Sequence, residues 1–372
     1  MDQASDSNSS VWFYRGVDLL RRTNPIVLAA GAVLWLFIKV GLGRFPALET
    51  YVAIAQKPAN PGFADPMQHY LLWSPMQGLA ASVVGMTSPS RYEVFSLALG
   101  AVAIALPIVL SWQREGGYLK LAVFVVIVGS SLATDLYSWV GVYDAVTVIG
   151  IGVALLSPWR LVRMAGWFVV AANHTEVALA GLAVVIAMAG VSGFVDYRES
   201  GRFAIRSVLR EAVIALGGIA AGYLFLLWIV GHWGEIESRG YYRTHVPGGF
   251  SAFSDGLLIN TWPIVFGSLG ASWLFFLLLI GSRQSLPLLV LITAAVGCSV
   301  VVPLVALDQS RVIGLILLAP AYWGASYACR RIPRIVLTEA LRPAMLAAII
   351  VPVVVSWTTT LVYGPGLLSR LM

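Results

Sequence analysis

The sequence predicts an all-α polytopic membrane protein of about eleven transmembrane helices, with a re-entrant or interfacial helix near 70–86 on the outer face. Three observations predict it. Mean hydropathy is +0.83, with 59% hydrophobic and 11% charged residues, and so little polar surface could not clothe a soluble core. Apolar runs of about 17 to 25 residues, the length a helix needs to cross the hydrocarbon, recur along the chain. The charges also separate: basic residues crowd alternate loops, while the remaining loops collect all four histidines and a large share of the acids.

Residues 1–10 are polar and no small-residue cleavage site follows the first apolar segment, so that segment reads as an anchor and not as a cleaved signal. VWFYRGVDLLRR at 11–22 has the aromatic and basic mix of a helix lying in the membrane interface. Residues 1–25 are therefore expected to form a cytoplasmic tail and interfacial helix. One transmembrane domain follows over 26–363, with outer loops at 44–92 and 232–258 and a short outer tail at 364–372. Its spans are expected near 26–43, 93–112, 119–138, 143–158, 163–174, 177–194, 211–231, 259–281, 287–306, 311–329 and 343–363.

Two segments decide the sidedness. The stretch 70–86 is interrupted by Ser74-Pro75 and two glycines, which suits a broken helix at the outer surface. The stretch 163–194 carries Asn173, His174, Thr175 and Glu176 at its middle. As one span it would strand those groups in lipid and carry Arg198, Arg202, Arg206 and Arg210 outside; as a tight pair of short helices it returns these arginines to the cytoplasm. The second reading places inside Arg15, Arg21 and Arg22; Arg114 and Lys120; Arg160 and Arg163; Arg198, Arg202, Arg206 and Arg210; Arg283; and Arg330, Arg331, Arg334 and Arg342, 16 of the 24 basic residues. The positive-inside bias then makes the chain a multi-pass inner-membrane protein with a cytoplasmic N-terminus. Arg202, Arg206 and Arg210 form a basic stripe suited to anionic lipid headgroups.

The outer rim carries the candidate chemistry. In the first outer loop stand Glu49, Asp65 and His69. A carboxylate at the membrane surface, as Glu49 would be, is the group a general base requires; Asp65 serves equally as a helix N-cap before Pro66. Asp135 and Asp144 bracket the short junction DLYSWVGVYD, as active-site acids or as caps, and Asp308 with Arg311 in LDQSR admits the same two readings. His174 and Glu176 reach the rim at the tight junction. The second outer loop, HWGEIESRGYYRTHVPGGFSAFSDG, adds Arg239, Arg243 and His245, and its guanidinium groups suit phosphate oxygens. Histidine beside carboxylate could ligate a divalent cation, but no spacing is diagnostic and no cofactor is expected. Cys298 and Cys329 lie in or at the end of spans, which argues against a disulfide or a cysteine-based metal site. The net charge of +6 reflects inner arginines and does not point to nucleic acid.

A cytoplasmic N-terminus, one span, a long outer loop with an early acid, a broken surface helix and many short-linked spans resemble the GT-C-type integral membrane glycosyltransferases. The resemblance rests on LETYVAIA with Glu49, on HYLLWSPMQGLAASVVGMTSPSRYEVFSLALG, and on VYDAVTVIGIGVALLSPWRL with Asp144, over about the first half of the chain. It implies that Glu49 is the catalytic base and that the donor is a polyprenyl-phosphate or polyprenyl-diphosphate sugar. Glu49 is followed by Thr50 and Tyr51, so the acidic pair of metal-dependent members is missing. The chain also resembles polytopic polysaccharide polymerases, which implies that Arg239, Arg243, His245 and Arg311 hold a polyprenyl-linked glycan for transfer to a glycan or lipid acceptor. Two other readings stay open. Lys39, late in the first span, with Gly- and Pro-interrupted helices would suit a transporter or lipid flippase, and a structural subunit of an envelope-synthesis complex would need none of the rim chemistry.

Overall fold

The computed structural model describes residues 16–44, 48–62, 69–112, 114–201, 205–234, 236–238, 241, 245, 268–281, 285–302, 309–351, 354–357 and 360–363. Helices dominate. A short helix α1 (Gly16–Arg22) meets α2 (Pro25–Val40) at 111°. Asn24 caps α2 by accepting from Ile26 N, and Pro25 occupies its first turn. There follow α3 (Leu48–Gln56), α4 (His69–Leu72), α5 (Met76–Val83), α6 (Pro89–Leu110), α7 (Tyr118–Gly129), α8 (Leu132–Ser138) and α9 (Asp144–Leu156). Beyond them lie α10 (Arg160–Ser200), α11 (Ile205–His232), α12 (Ser272–Leu279), α13 (Leu286–Val301), α14 (Gln309–Arg331) and α15 (Arg334–Ile350).

Among the described residues, four helices are long and apolar enough to cross a membrane: α6, α10, α11 from Val208 and α14 from Arg311; α1 with α2 makes a fifth if the bent pair counts as one. These make the chain a membrane protein. Several expected spans are shorter or interrupted. The stretch 119–138 breaks between α7 and α8 at Ser130 and Ser131, and α9 has 13 residues, about 20 Å of rise against roughly 30 Å of hydrocarbon. The expected span at 343–363 is corrected: α15 stops at Ile350, and Val354–Trp357 (β1) pairs antiparallel with Thr360–Tyr363 (β2). Val354, Val355, Thr360 and Val362 are β-branched, a composition that favours strand over helix. The break expected in 70–86 falls at Ser74-Pro75, between α4 and α5.

The long helix α10 is two limbs. His174 leaves the helical region at φ −148°, ψ 78°. On a straight helix Arg163 and Asp196 would stand about 50 Å apart, yet both line one cavity with Val208–Ala215 side chains of α11. Thr175 and Leu179 instead share a cavity with Leu216–Leu226 of α11. The second limb therefore runs antiparallel to α11. The first runs parallel to it, since a Cβ on Gly218 would come within 2.4 Å of Met164 O and one on Gly222 within 2.3 Å of Phe168 O. Only glycine permits so close an approach, the small-residue packing by which membrane helices associate. The α9 contact is built likewise, with Gly166 set against Ala154 N and Gly150 against Val170.

This arrangement gives the bundle two chemically different ends. Arg163 pairs with Glu211 at 2.6 Å and Arg331 with Asp196 at 2.8 Å at one end, where Lys120 Nζ also donates to Thr23 O. Asp144, His174 and Arg311 meet at the other. Between them a continuous apolar core includes Leu36, Ile104, Val125, Ile151, Phe275, Leu317 and Tyr322.

Because Gly222 admits no side chain, Gly222→Val should overpack the α10–α11 contact and destabilise the protein by about 1 to 3 kcal/mol, read as a lower unfolding temperature in detergent. Gly190→Ala, where a Cβ meets nothing within 4 Å, should unfold at or slightly above the wild-type temperature.

Candidate active site

Three segments far apart in sequence bring the site together. Asp144 opens α9, where a carboxylate also faces the positive end of the helix dipole. Its side chain is 2% exposed. Arg311, in the first turns of α14, donates through Nη1 to Asp144 Oδ2 at 2.6 Å. His174, at the break in α10, places Nε2 3.4 Å from Asp144 Oδ1. A carboxylate so deeply buried is stable only beside a counter-charge, and Arg311 supplies it.

Aromatic rings enclose the trio. The His174 ring lies 4.8 Å from that of Tyr143 and the Arg311 guanidinium 5.8 Å from it, while Tyr51 of α3 tilts against Tyr143 at 5.3 Å. Asn173 holds the break in place. Its Nδ2 donates to Tyr143 O at 3.0 Å and to Thr147 Oγ1 at 2.9 Å, its Oδ1 accepts from Met76 N at 3.3 Å, and Ser74 Oγ donates to its carbonyl at 2.7 Å. One buried amide thus ties the α10 turn to α9 and to the α4–α5 junction, satisfying backbone groups that the non-helical residue would otherwise strand.

The other expected site residues are placed differently. Glu49 stands on α3 with its side chain 82% exposed, 3.6 Å from Arg44, two residues from Tyr51 and outside the buried trio. Glu176 is exposed and lines a lateral cavity of about 620 Å³ with Trp73, Thr175 and Tyr223. His69 Nδ1 accepts from Glu237 N at 3.0 Å, a tie between 44–92 and 232–258. Asp135 is buried on α8. His245 stacks on Tyr241 at 3.8 Å and bonds Tyr241 O, exposed. Asp65, Arg239, Arg243 and Asp308 lie outside the described residues. The described parts of 44–92 and 232–258 do pack together: Trp233 Nε1 donates to Pro58 O at 2.8 Å, Trp73 Nε1 to Glu237 O at 3.1 Å, and Ile54 and Leu72 share a core with Leu226, Ile229 and Trp233.

Sequence reasoning assigned no site role to Tyr51, Tyr143, Asn173 or Thr147. The dipeptide Tyr143-Asp144 and the Asn173-His174 pair were its only signals, because which ring covers which charge is set by tertiary packing. Among the described residues no group of three or more His, Cys, Asp or Glu could hold a metal ion. Comparison with family models, with curated proteins and with solved structures found no match.

Asp144→Ala removes the buried carboxylate that both Arg311 and His174 face and should destabilise the protein by about 3 to 5 kcal/mol, whereas the doubly apolar Asp144→Leu with Arg311→Met should recover most of that loss. Thermal unfolding of the three proteins in one detergent measures the difference.

Proposed function

We propose that the chain is a membrane glycosyltransferase, or a polysaccharide polymerase, that takes its sugar from a polyprenyl phosphate or diphosphate donor at the end of the bundle holding Asp144, His174 and Arg311. The convergence of these three residues from α9, α10 and α14 carries the reading. Buried ionisable groups within a membrane bundle are costly and mark function by default, and this set provides a cation for phosphate and an imidazole able to move a proton. The cavity lined by Trp73, Glu176 and Tyr223, next in sequence to His174 through Thr175, would receive a lipid-linked substrate whose chain stays in the bilayer.

In this reading an acceptor hydroxyl attacks the anomeric carbon of the donor, the bond to the phosphate oxygen breaks, and polyprenyl phosphate or diphosphate leaves. Glu49, exposed on the helix that carries Tyr51 into the aromatic cluster, takes the hydroxyl proton. Arg311 meets the phosphate charge, and Asp144 aims the guanidinium. The opposite, arginine-rich end supports a cytoplasmic placement for itself and an outer-face placement for the site. The transporter reading drew on Lys39. Its ammonium donates to Val128 O at 3.4 Å and to Ala348 O at 2.5 Å, which gives it a structural role joining α2, α7 and α15.

Purified protein reconstituted with a lipid-linked glycan pool extracted from source membranes should transfer sugar, read as product length or acceptor glycosylation. Glu49→Gln should keep the fold and lower turnover by about 10² to 10⁴, and Arg311→Lys should raise the donor concentration needed for half-maximal rate. Full activity in Glu49→Gln moves the base elsewhere. A wild-type protein that transfers nothing from that pool, with every rim variant complementing in cells, would replace the enzyme with a transporter or a structural subunit.

A further inference from the structure

The arginine-rich end contains a cavity that the reading above does not use. It has a volume of about 480 Å³ and is walled by Arg114, Arg163, Arg210, Arg330 and Arg331, against two carboxylates, Asp196 and Glu211. Positive charge is therefore in excess. Glu211 forms an ion pair with Arg163 at 2.6 Å with Arg210 3.8 Å away, and Asp196 accepts from Arg331 at 2.8 Å. The remaining two arginines donate to neutral carbonyls: Arg114 Nη1 to Leu156 O at 3.0 Å and Arg330 Nε to Ser326 O at 3.2 Å. Burial lowers the Arg114 pKa from its ordinary value, and the charge of Arg330 pushes the same way.

The fold sets these side chains together from four places: the turn after α6, both limbs of α10, the start of α11 and the last turn of α14. Arginines so close repel one another unless an anion sits among them, and a guanidinium fork matches phosphate oxygens. The inner wall is different in kind. Trp167, Leu182, Val185 and Trp323 make it apolar, which a free inorganic anion would not use.

We propose that this cavity binds the phosphate headgroup of an anionic phospholipid, with part of an acyl chain along the wall formed by Trp167, Leu182 and Trp323. Basic pockets between membrane helices recognise such headgroups through these two features together. Charge-assisted bonds to the phosphate supply selectivity over zwitterionic lipid, and the apolar wall supplies selectivity over free phosphate. The site lies at the end of the bundle opposite Asp144 and does not depend on the chemistry proposed there.

Native mass spectrometry of the full chain in detergent tests this, with phosphatidylglycerol, phosphatidylcholine and inorganic phosphate as the three probes. A saturable single phosphatidylglycerol adduct should form in preference to phosphatidylcholine. It should weaken about tenfold in Arg210→Gln with Arg330→Gln, through the loss of charge-assisted hydrogen bonds. Both arginines are exposed, so the double variant should elute and unfold as the wild type does without lipid. Equal binding of the two lipids, or unchanged phosphatidylglycerol binding in the folded double variant, overturns the proposal. Inorganic phosphate that binds as tightly as phosphatidylglycerol and displaces it fully would make the ligand a free phosphate compound and overturn the lipid assignment.

Discussion

At His174 the backbone turns from helical to extended, φ −148° and ψ 78°, inside a run that would otherwise be a helix of 41 residues. A helix of that length would reach about 60 Å, twice the hydrocarbon thickness. The break returns the second limb along α11, so that residues before and after it finish at the same end of the bundle. Asn173 makes the turn tolerable by giving hydrogen-bond partners to Tyr143 O, Thr147 and Met76 N. With the turn in place, His174 meets Asp144 at one end, while Arg163 and Asp196 share a cavity at the other. Without it neither grouping exists.

The separation of charge follows from the same geometry. Ionisable groups are costly in an apolar bundle and are tolerated where they pair or reach its ends. Asp144 is buried and paired with the part-buried Arg311, and the arginines of the opposite end pair partly with Glu211 and Asp196 and otherwise crowd one cavity. Lys39, the cation placed deepest along α2, is held by two backbone carbonyls.

The separation of charge between the two ends of the bundle was legible in the sequence because it depends on a count of charges per loop. The break at 173–176 was legible for a related reason: four polar residues in succession cannot stay in lipid. Side-chain partnerships were not. Glu49 was read as a carboxylate at the membrane surface, and α3 leaves it exposed, but that the same helix brings Tyr51 inward onto Tyr143 had no signal in the sequence. The segment 343–363 read as a helix because a continuous apolar run does not separate helix from strand. Val354–Trp357 and Thr360–Tyr363 pair as antiparallel strands instead.

The reversal of α10 can be measured directly. Spin labels at Leu161→Cys and Tyr197→Cys, both exposed positions, in a chain whose Cys298 and Cys329 have been replaced by alanine, report the distance between the outer parts of the two limbs. Packed limbs place the labels within roughly 30 Å of one another by double electron–electron resonance, since neighbouring helix axes lie about 8 to 10 Å apart. A distance near 54 Å, about 1.5 Å for each intervening residue of an unbroken helix, would contradict the fold-back and with it both ends of the bundle as described.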